Sequence, residues 1–168
     1  PENLIGVPTV IAITKIPATQ QPVASPIPTS TLKPIPKNIQ LNGFRHEYQT
    51  WNNCGPATLA MALSFWGWEG DQRPIAAFTK PNTRDKNVLP DELVAYVKAE
   101  TELQAVYRVG GETGLLKRLL AAGFPVILEK GFELPKEGWM GHYVLVTGYD
   151  DSKDRFILQD SYYGPDQV

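Results

Sequence analysis

Cysteine occurs once in this chain, at Cys54, and histidine twice, at His46 and His142. A lone cysteine cannot close a disulfide within the chain, and with two histidines it does not make the ligand spacing of a structural zinc site. No metal and no cofactor is therefore expected, and a reactive thiol is the remaining chemical use of Cys54. Excess charge is missing too. A formal net charge of -2 gives no electrostatic case for nucleic acid or an anionic membrane surface, both of which need a basic patch or stripe. No apolar run approaches the roughly 18 residues of a membrane span, and Val10 to Ile13 is too short even for a signal-peptide core. No nucleic-acid partner and no transmembrane segment are expected in this chain, which reads as soluble with any export signal lying outside it.

What is present is the composition of a soluble globular domain: 168 residues, 42% hydrophobic and 20% charged, enough for one domain with a real core. The composition changes near Asn38. Residues 1–38 hold eight prolines with several Thr, Ser and Gln and almost no aromatic or acidic residues. Such a segment buries too little apolar surface to offset chain entropy, so it is expected to be an extended or disordered linker. A Pro- and Thr-rich spacer ahead of a working domain suits a tether, which points to an extracellular or cell-envelope-attached bacterial protein. Residues 39–168 make the working domain. Ser161 to Asp166 runs off with no evident closing element, so the chain is expected to be a fragment, incomplete at its C-terminus.

Within the domain, Leu59, Ala62, Leu63 and Trp66 recur at helical spacing over Gly55 to Trp66, with Pro56 tolerated in the first turn and Gly67 as the stop. Residues 91–99 follow Pro90 with acids in the first turn, and Leu115 to Ala122 follow Thr113, a potential cap. Both predict helices. Leu103 to Val109, Pro125 to Glu129, His142 to Tyr149 and Arg155 to Asp160 are rich in Val, Ile, Leu and Tyr between turn signals and predict strands. Helices first and an antiparallel sheet second make an α+β plan.

Cys54 falls at the head of the first of these helices. There the positive end of the peptide dipoles and unpaired N–H groups favour the thiolate. The last two strands, joined by the polar turn Asp150 to Asp154, form a hairpin. If Tyr149 pairs with Arg155, Asp160 falls opposite Val144, one diagonal step of about 7–8 Å from His142, and a longer loop on the first strand brings it opposite His142 itself. The carboxylate then orients the imidazole and stabilises its cation, and the other ring nitrogen faces what packs across the sheet, proposed to be Cys54. Each residue alone has a plainer use. A cysteine opening an apolar helix is often a small buried hydrophobe, a strand histidine often bonds backbone, and an aspartate can simply end its strand. Taken together they form a nucleophile, base and orienting acid. Trp51, Trp66, Trp68 and Trp139 read as core or cleft-wall residues, and His46 as surface or structural.

Gln49, then Asn53-Cys54-Gly55-Pro56-Ala57, then Gly141-His142-Tyr143-Val144-Leu145-Val146-Thr147-Gly148-Tyr149, then Leu158-Gln159-Asp160 resemble the papain-like cysteine peptidases of the bacteriocin-processing, double-glycine type, cysteine peptidase family thirty-nine. The resemblance covers roughly residues 40–168, and its two main blocks are specific in combination. It implies a papain-like fold and a peptide or protein substrate, with Cys54 as nucleophile, His142 as general base and Asp160 orienting the ring. It further implies that the Gln49 side-chain amide and the Cys54 backbone N–H hold the oxyanion. Gln49 stands five residues before Cys54, whereas family members commonly place it six before. Pro56-Ala57 matches the broad branch of the group and not the transporter-fused leader peptidases. A peptide-binding or scaffold module on the same fold, or an amidase or acyltransferase using the same thioester, are the alternatives.

Overall fold

Seven strands form one antiparallel sheet in the computed structural model, which describes residues 9–14, 34–82, 85–136 and 138–168. The strands are β1 (Thr9–Thr14), β2 (Asn38–Gln40), β3 (Gln104–Val109), β4 (Val126–Leu134), β5 (Gly138–Asp150), β6 (Arg155–Asp160) and β7 (Gly164–Gln167). Their order is β3-β1-β4-β5-β6-β7, and β2 pairs with the far end of β5. The helices are α1 (Cys54–Phe65), α2 (Gln72–Thr79), α3 (Pro90–Glu100) and α4 (Thr113–Ala121). The expected α+β class holds but the order of helices first and sheet second does not, since β1 and β2 precede α1 and β3 lies between α3 and α4; each predicted helix and strand is present to within a few residues at most of its ends, except that β4 and β5 are longer.

Side chains alternate across the sheet and build two cores. On one face Ile11, Ile13, Ile127, Tyr143 and Leu145 pack with Leu59 and Leu63 of α1, Ile75 of α2, and Leu93 and Val97 of α3. On the other, Val10, Val126, Val146 and Tyr149 pack with Leu116 and Leu120 of α4. Residues 55–63 of α1 are all buried, because the helix is covered by the sheet on one side and by α2 and α3 on the other. The helices are thus divided between both faces, with α1 to α3 on one and α4 on the other.

Two expectations are corrected. Thr9–Thr14, assigned from composition to the linker, is a strand lying between β3 and β4, with Ile11 and Ile13 each 1% exposed. A strand covered on both faces shows a short continuous apolar run without alternation, and its partners lie 90 or more residues away, from Thr14–Gln104 upward, so local composition hides it. The sheet therefore includes residues well before position 39. Most of the rest of the expected linker lies outside the described residues. At the other end, Gly164–Gln167 is an ordered strand paired with β6 through Asp160–Gly164 and Leu158–Gln167, so the segment after Asp160 has an element after all. Helix α2 has no counterpart in the sequence reading. Pro74 in its first turn reads as a breaker, yet Asp71 caps the helix by accepting from the Arg73 N–H at 2.9 Å.

Candidate active site

Asp160 reaches His142 through a defect in the sheet. The hairpin starts with Asp150 opposite Arg155 and Gly148 opposite Ile157, a register one residue tighter than Tyr149 against Arg155. Continued unbroken, it would put Asp160 level with Leu145, on the face opposite to His142. A bulge at Thr147 intervenes, so that Val146 faces Leu158 and Leu145 faces Gln159. One further step sets Asp160 level with Val144, on the His142 face. There His142 Nε2 lies 3.0 Å from Asp160 Oδ1.

Asp160 is 2% exposed, and its Oδ1 also accepts the backbone N–H of Tyr162 at 2.8 Å and of Tyr163 at 3.2 Å. Burial opposes its ionisation, but these N–H groups and His142 prevail and hold its carboxyl below the usual range. With Nε2 taken by Asp160, Nδ1 is the ring nitrogen left for Cys54, which is hydrogen-bonded to His142. Burial raises the thiol. The His142 hydrogen bond, the Tyr143 N–H, the His142 charge and the Gly55 N–H together override it and bring Cys54 below its ordinary value. Burial favours a neutral ring at His142, but the hydrogen bonds and charges of Cys54 and Asp160 outweigh it and raise its pKa. The two opposite shifts both favour a thiolate beside an imidazolium.

The head of α1 is docked on the exposed edge of β5. The β5–β6 ladder ends at Leu145–Gln159. Past that point the Tyr143 carbonyl accepts from Thr58 Oγ1 at 3.1 Å, and the Tyr143 N–H points to the Cys54 sulfur. Close approach needs a glycine after the cysteine: a Cβ on Gly55 would sit 3.2 Å from the Tyr143 ring and 3.4 Å from Val88. Gln49 lies on the far side, tied to β6 by its N–H to the Ser161 carbonyl at 2.9 Å and by the Ser161 hydroxyl to its Oε1 at 2.9 Å. This leaves the Gln49 Nε2 without a hydrogen bond among the described residues. A cleft of about 120 Å³ opens beside the sulfur, lined in part by Cys54, Gly55, Val88, Glu129, Trp139 and Gly141.

Residues 35–167 match the Peptidase_C39 like family. The chain belongs to that family. No curated protein and no solved structure gives a match. Family membership makes this a peptidase-like protein, with cysteine peptidase chemistry as the activity that the family suggests in general.

Three further residues of this family member support the site without having been singled out in the sequence. Gln72, 4% exposed at the start of α2, accepts from Thr50 N–H at 2.8 Å, Thr50 Oγ1 at 3.0 Å and Asn53 Nδ2 at 3.2 Å. Its Nε2 donates to Glu47 Oε1 at 2.7 Å and to the Tyr48 carbonyl at 2.9 Å, so one side chain fixes the whole approach to Cys54. Lys80 donates to the Asn52 carbonyl at 2.7 Å and to Asn53 Oδ1, holding Asn52 in a left-handed conformation at φ 54°. Partial burial lowers the Lys80 pKa, while the negative charges of Cys54 and Asp85 act against that shift. Ser161 is the third, through Gln49. Nothing in sequence spacing signals Gln72 or Lys80. Ser161 is adjacent to Asp160, and strand alternation turns the two to opposite sides, one to His142 and one to Gln49.

The tryptophans divide. Trp66 and Trp68 pack against the core and Trp139 lines the cleft, as expected, but Trp51 is 73% exposed and belongs to neither. His46 bonds Gln159 Oε1 through Nδ1 at 2.9 Å, a structural contact. No helix among the described residues is long and apolar enough to cross a membrane.

Proposed function

We propose that this domain is papain-like and hydrolyses a peptide or amide bond through a thioester on Cys54. The Cys54 thiolate attacks the substrate carbonyl. The developing oxyanion accepts from the Cys54 N–H, which at the first helical position has no intrahelical partner, and from Gln49 Nε2, whose orientation the Ser161 hydroxyl fixes. His142 gives its proton to the leaving amine, the thioester forms, and the amine departs. The now neutral ring takes a proton from water, which attacks the thioester and frees the acid and the thiol. Asp160 keeps the ring in place and favours its cation throughout.

The single observation that carries this reading is the His142 Nε2–Asp160 Oδ1 contact at 3.0 Å, which leaves Nδ1 for Cys54 at the head of α1; the opposed shifts at Cys54 and His142 agree with it. An extracellular or envelope-attached setting, suggested by the proline-rich N-terminal composition, is part of the proposal and is tested by fractionating cells that express the full gene product. The chemical test is iodoacetamide labelling of Cys54 near neutral pH in the wild type and in His142→Ala. Loss of His142 is expected to slow labelling by about tenfold or more, the effect of one charge-assisted hydrogen bond. Equal rates would remove the activated thiol and leave a binding module on the same fold.

A further inference from the structure

The sheet face under α1 continues past the helix. Leu145 and Ile127 are covered, and Tyr143 lies beneath Cys54 and Gly55. On the same face the next positions are Glu129, Gly141, Gly131 and Trp139, which the β4–β5 register sets side by side as Glu129–Tyr143, Gly131–Gly141 and Glu133–Trp139. This uncovered stretch is the floor of the cleft. Its two glycines are spatial requirements. A Cβ on Gly141 would stand 3.1 Å from Glu129 Oε1 and 3.3 Å from Trp139 Nε1, and a Cβ on Gly131 would strike the Trp139 ring at 2.6 Å. The indole and the Glu129 carboxylate therefore both occupy the space over Gly141.

Glu129 is partly buried and lies beside Thr9 of β1 and Tyr143 of β5, whose hydroxyl donates to the Val88 carbonyl at 2.8 Å. Among the described residues it has no ion pair. Lys130, next in the chain, points to the opposite face and lies 3.8 Å from Asp160; Lys80 is held on Asn52 and Asn53; Lys86 lines the same cleft but is exposed and makes no ion pair with Glu129 among the described residues. Burial works against ionisation at Glu129, so the carboxylate is a desolvated group in want of a cation. Trp139 is 45% exposed, so its ring is open to a cation approaching the same spot.

We infer that Glu129 and Trp139 form a cation-accepting subsite beside Cys54, so that the preferred substrate places a lysine or arginine side chain next to the scissile bond. The inference rests on the proposed role of Cys54 as nucleophile and names what that nucleophile would attack.

Cys54 is the sole cysteine, so methanethiosulfonates of different charge report on the subsite directly. Methyl, trimethylammonioethyl and sulfonatoethyl methanethiosulfonate each form a disulfide with Cys54 and release methanesulfinate, and each rate is divided by its rate with mercaptoethanol. The cationic reagent is expected to exceed the anionic one by about tenfold in the wild type. Glu129→Gln, which removes the charge and keeps the side-chain shape, is expected to remove most of that ratio. Trp139→Ala, at an exposed position and with no change of charge, is expected to reduce it. Equal normalised rates in the wild type, or a ratio unchanged in both variants, would overturn the subsite. The neutral reagent separates the two claims: a normalised rate no higher than that of an ordinary thiol counts against the nucleophile, whatever the charge ratio.

Discussion

Replacing Gln72 tests whether the approach to Cys54 is held from outside the active site. The side chain makes five hydrogen bonds, three accepted by Oε1 and two donated by Nε2, one of them to the Glu47 carboxylate at 2.7 Å. A neutral buried hydrogen bond contributes about 1 kcal/mol net, and one to a charged group about 1.5–3 kcal/mol. The bonds share atoms, and the Gln72 backbone N–H keeps its own bond to Glu47 at 3.0 Å in any variant, so the sum is an upper bound. Gln72→Met, which preserves volume, is therefore expected to lose about 2–4 kcal/mol in urea unfolding, with an unchanged slope. The Thr50 and Asn53 donors would lose their acceptor. Asn53 supplies the carbonyl for the first bond of α1, to Ala57 N–H at 2.9 Å, so the helix head should loosen and iodoacetamide labelling of Cys54 should slow under native conditions. A Gln72→Met variant within about 0.5 kcal/mol of the wild type, labelling at the wild-type rate, would refute the reasoning.

Two more outcomes follow from the same geometry. The proposed mechanism uses a thiolate–imidazolium pair, which is lost when the thiolate is protonated and when the imidazolium is deprotonated, so turnover should be bell-shaped in pH. Asp160 raises the His142 pKa, so Asp160→Asn should draw the alkaline limb toward acid; a limb that does not move would deny the orienting role. Ile13→Ala, at 1% exposure between α1–α3 and the sheet, is expected to cost about 2–4 kcal/mol, read from the urea midpoint. A loss below about 1 kcal/mol would mean that Thr9–Thr14 is dispensable to the core.

The parts of this molecule that were legible in the sequence are those with local causes. Helix α1 announces itself by apolar spacing, Gly67 and the small residues Gly55-Pro56-Ala57, and the hairpin by its polar turn. The parts that were not legible depend on partners distant in sequence. Strand β1 owes its place to pairing with Gln104–Val109 and with Val126–Glu129, and its surroundings of proline masked it. Gln72 is polar, near a proline and unremarkable by spacing, and only the fold turns it toward residues 47–53. The cleft floor is similar: Gly131 and Gly141 flank the predicted strands without any sign of their use, which is to leave room for the Trp139 ring and the Glu129 carboxylate.

The His142–Asp160 contact makes the same point more sharply, because the expected juxtaposition was reached by a different register. A five-residue turn and an unbroken ladder would put Asp160 opposite Val144. The protein uses a tighter turn, with Asp150 against Arg155, and then restores the parity with the Thr147 bulge. The bulge also turns backbone groups to new uses: Thr147 Oγ1 donates to the Ile157 carbonyl at 3.2 Å, and the Thr147 carbonyl accepts from Leu41 N–H at 2.8 Å beside β2. Because side chains alternate with period two, a ladder in which Thr147 paired directly with Leu158 would carry Asp160 to the face of Leu145 and leave His142 on the other face without its carboxylate. The bulge is therefore as much a part of the candidate site as the three residues whose side chains meet there, although Thr147 touches none of them.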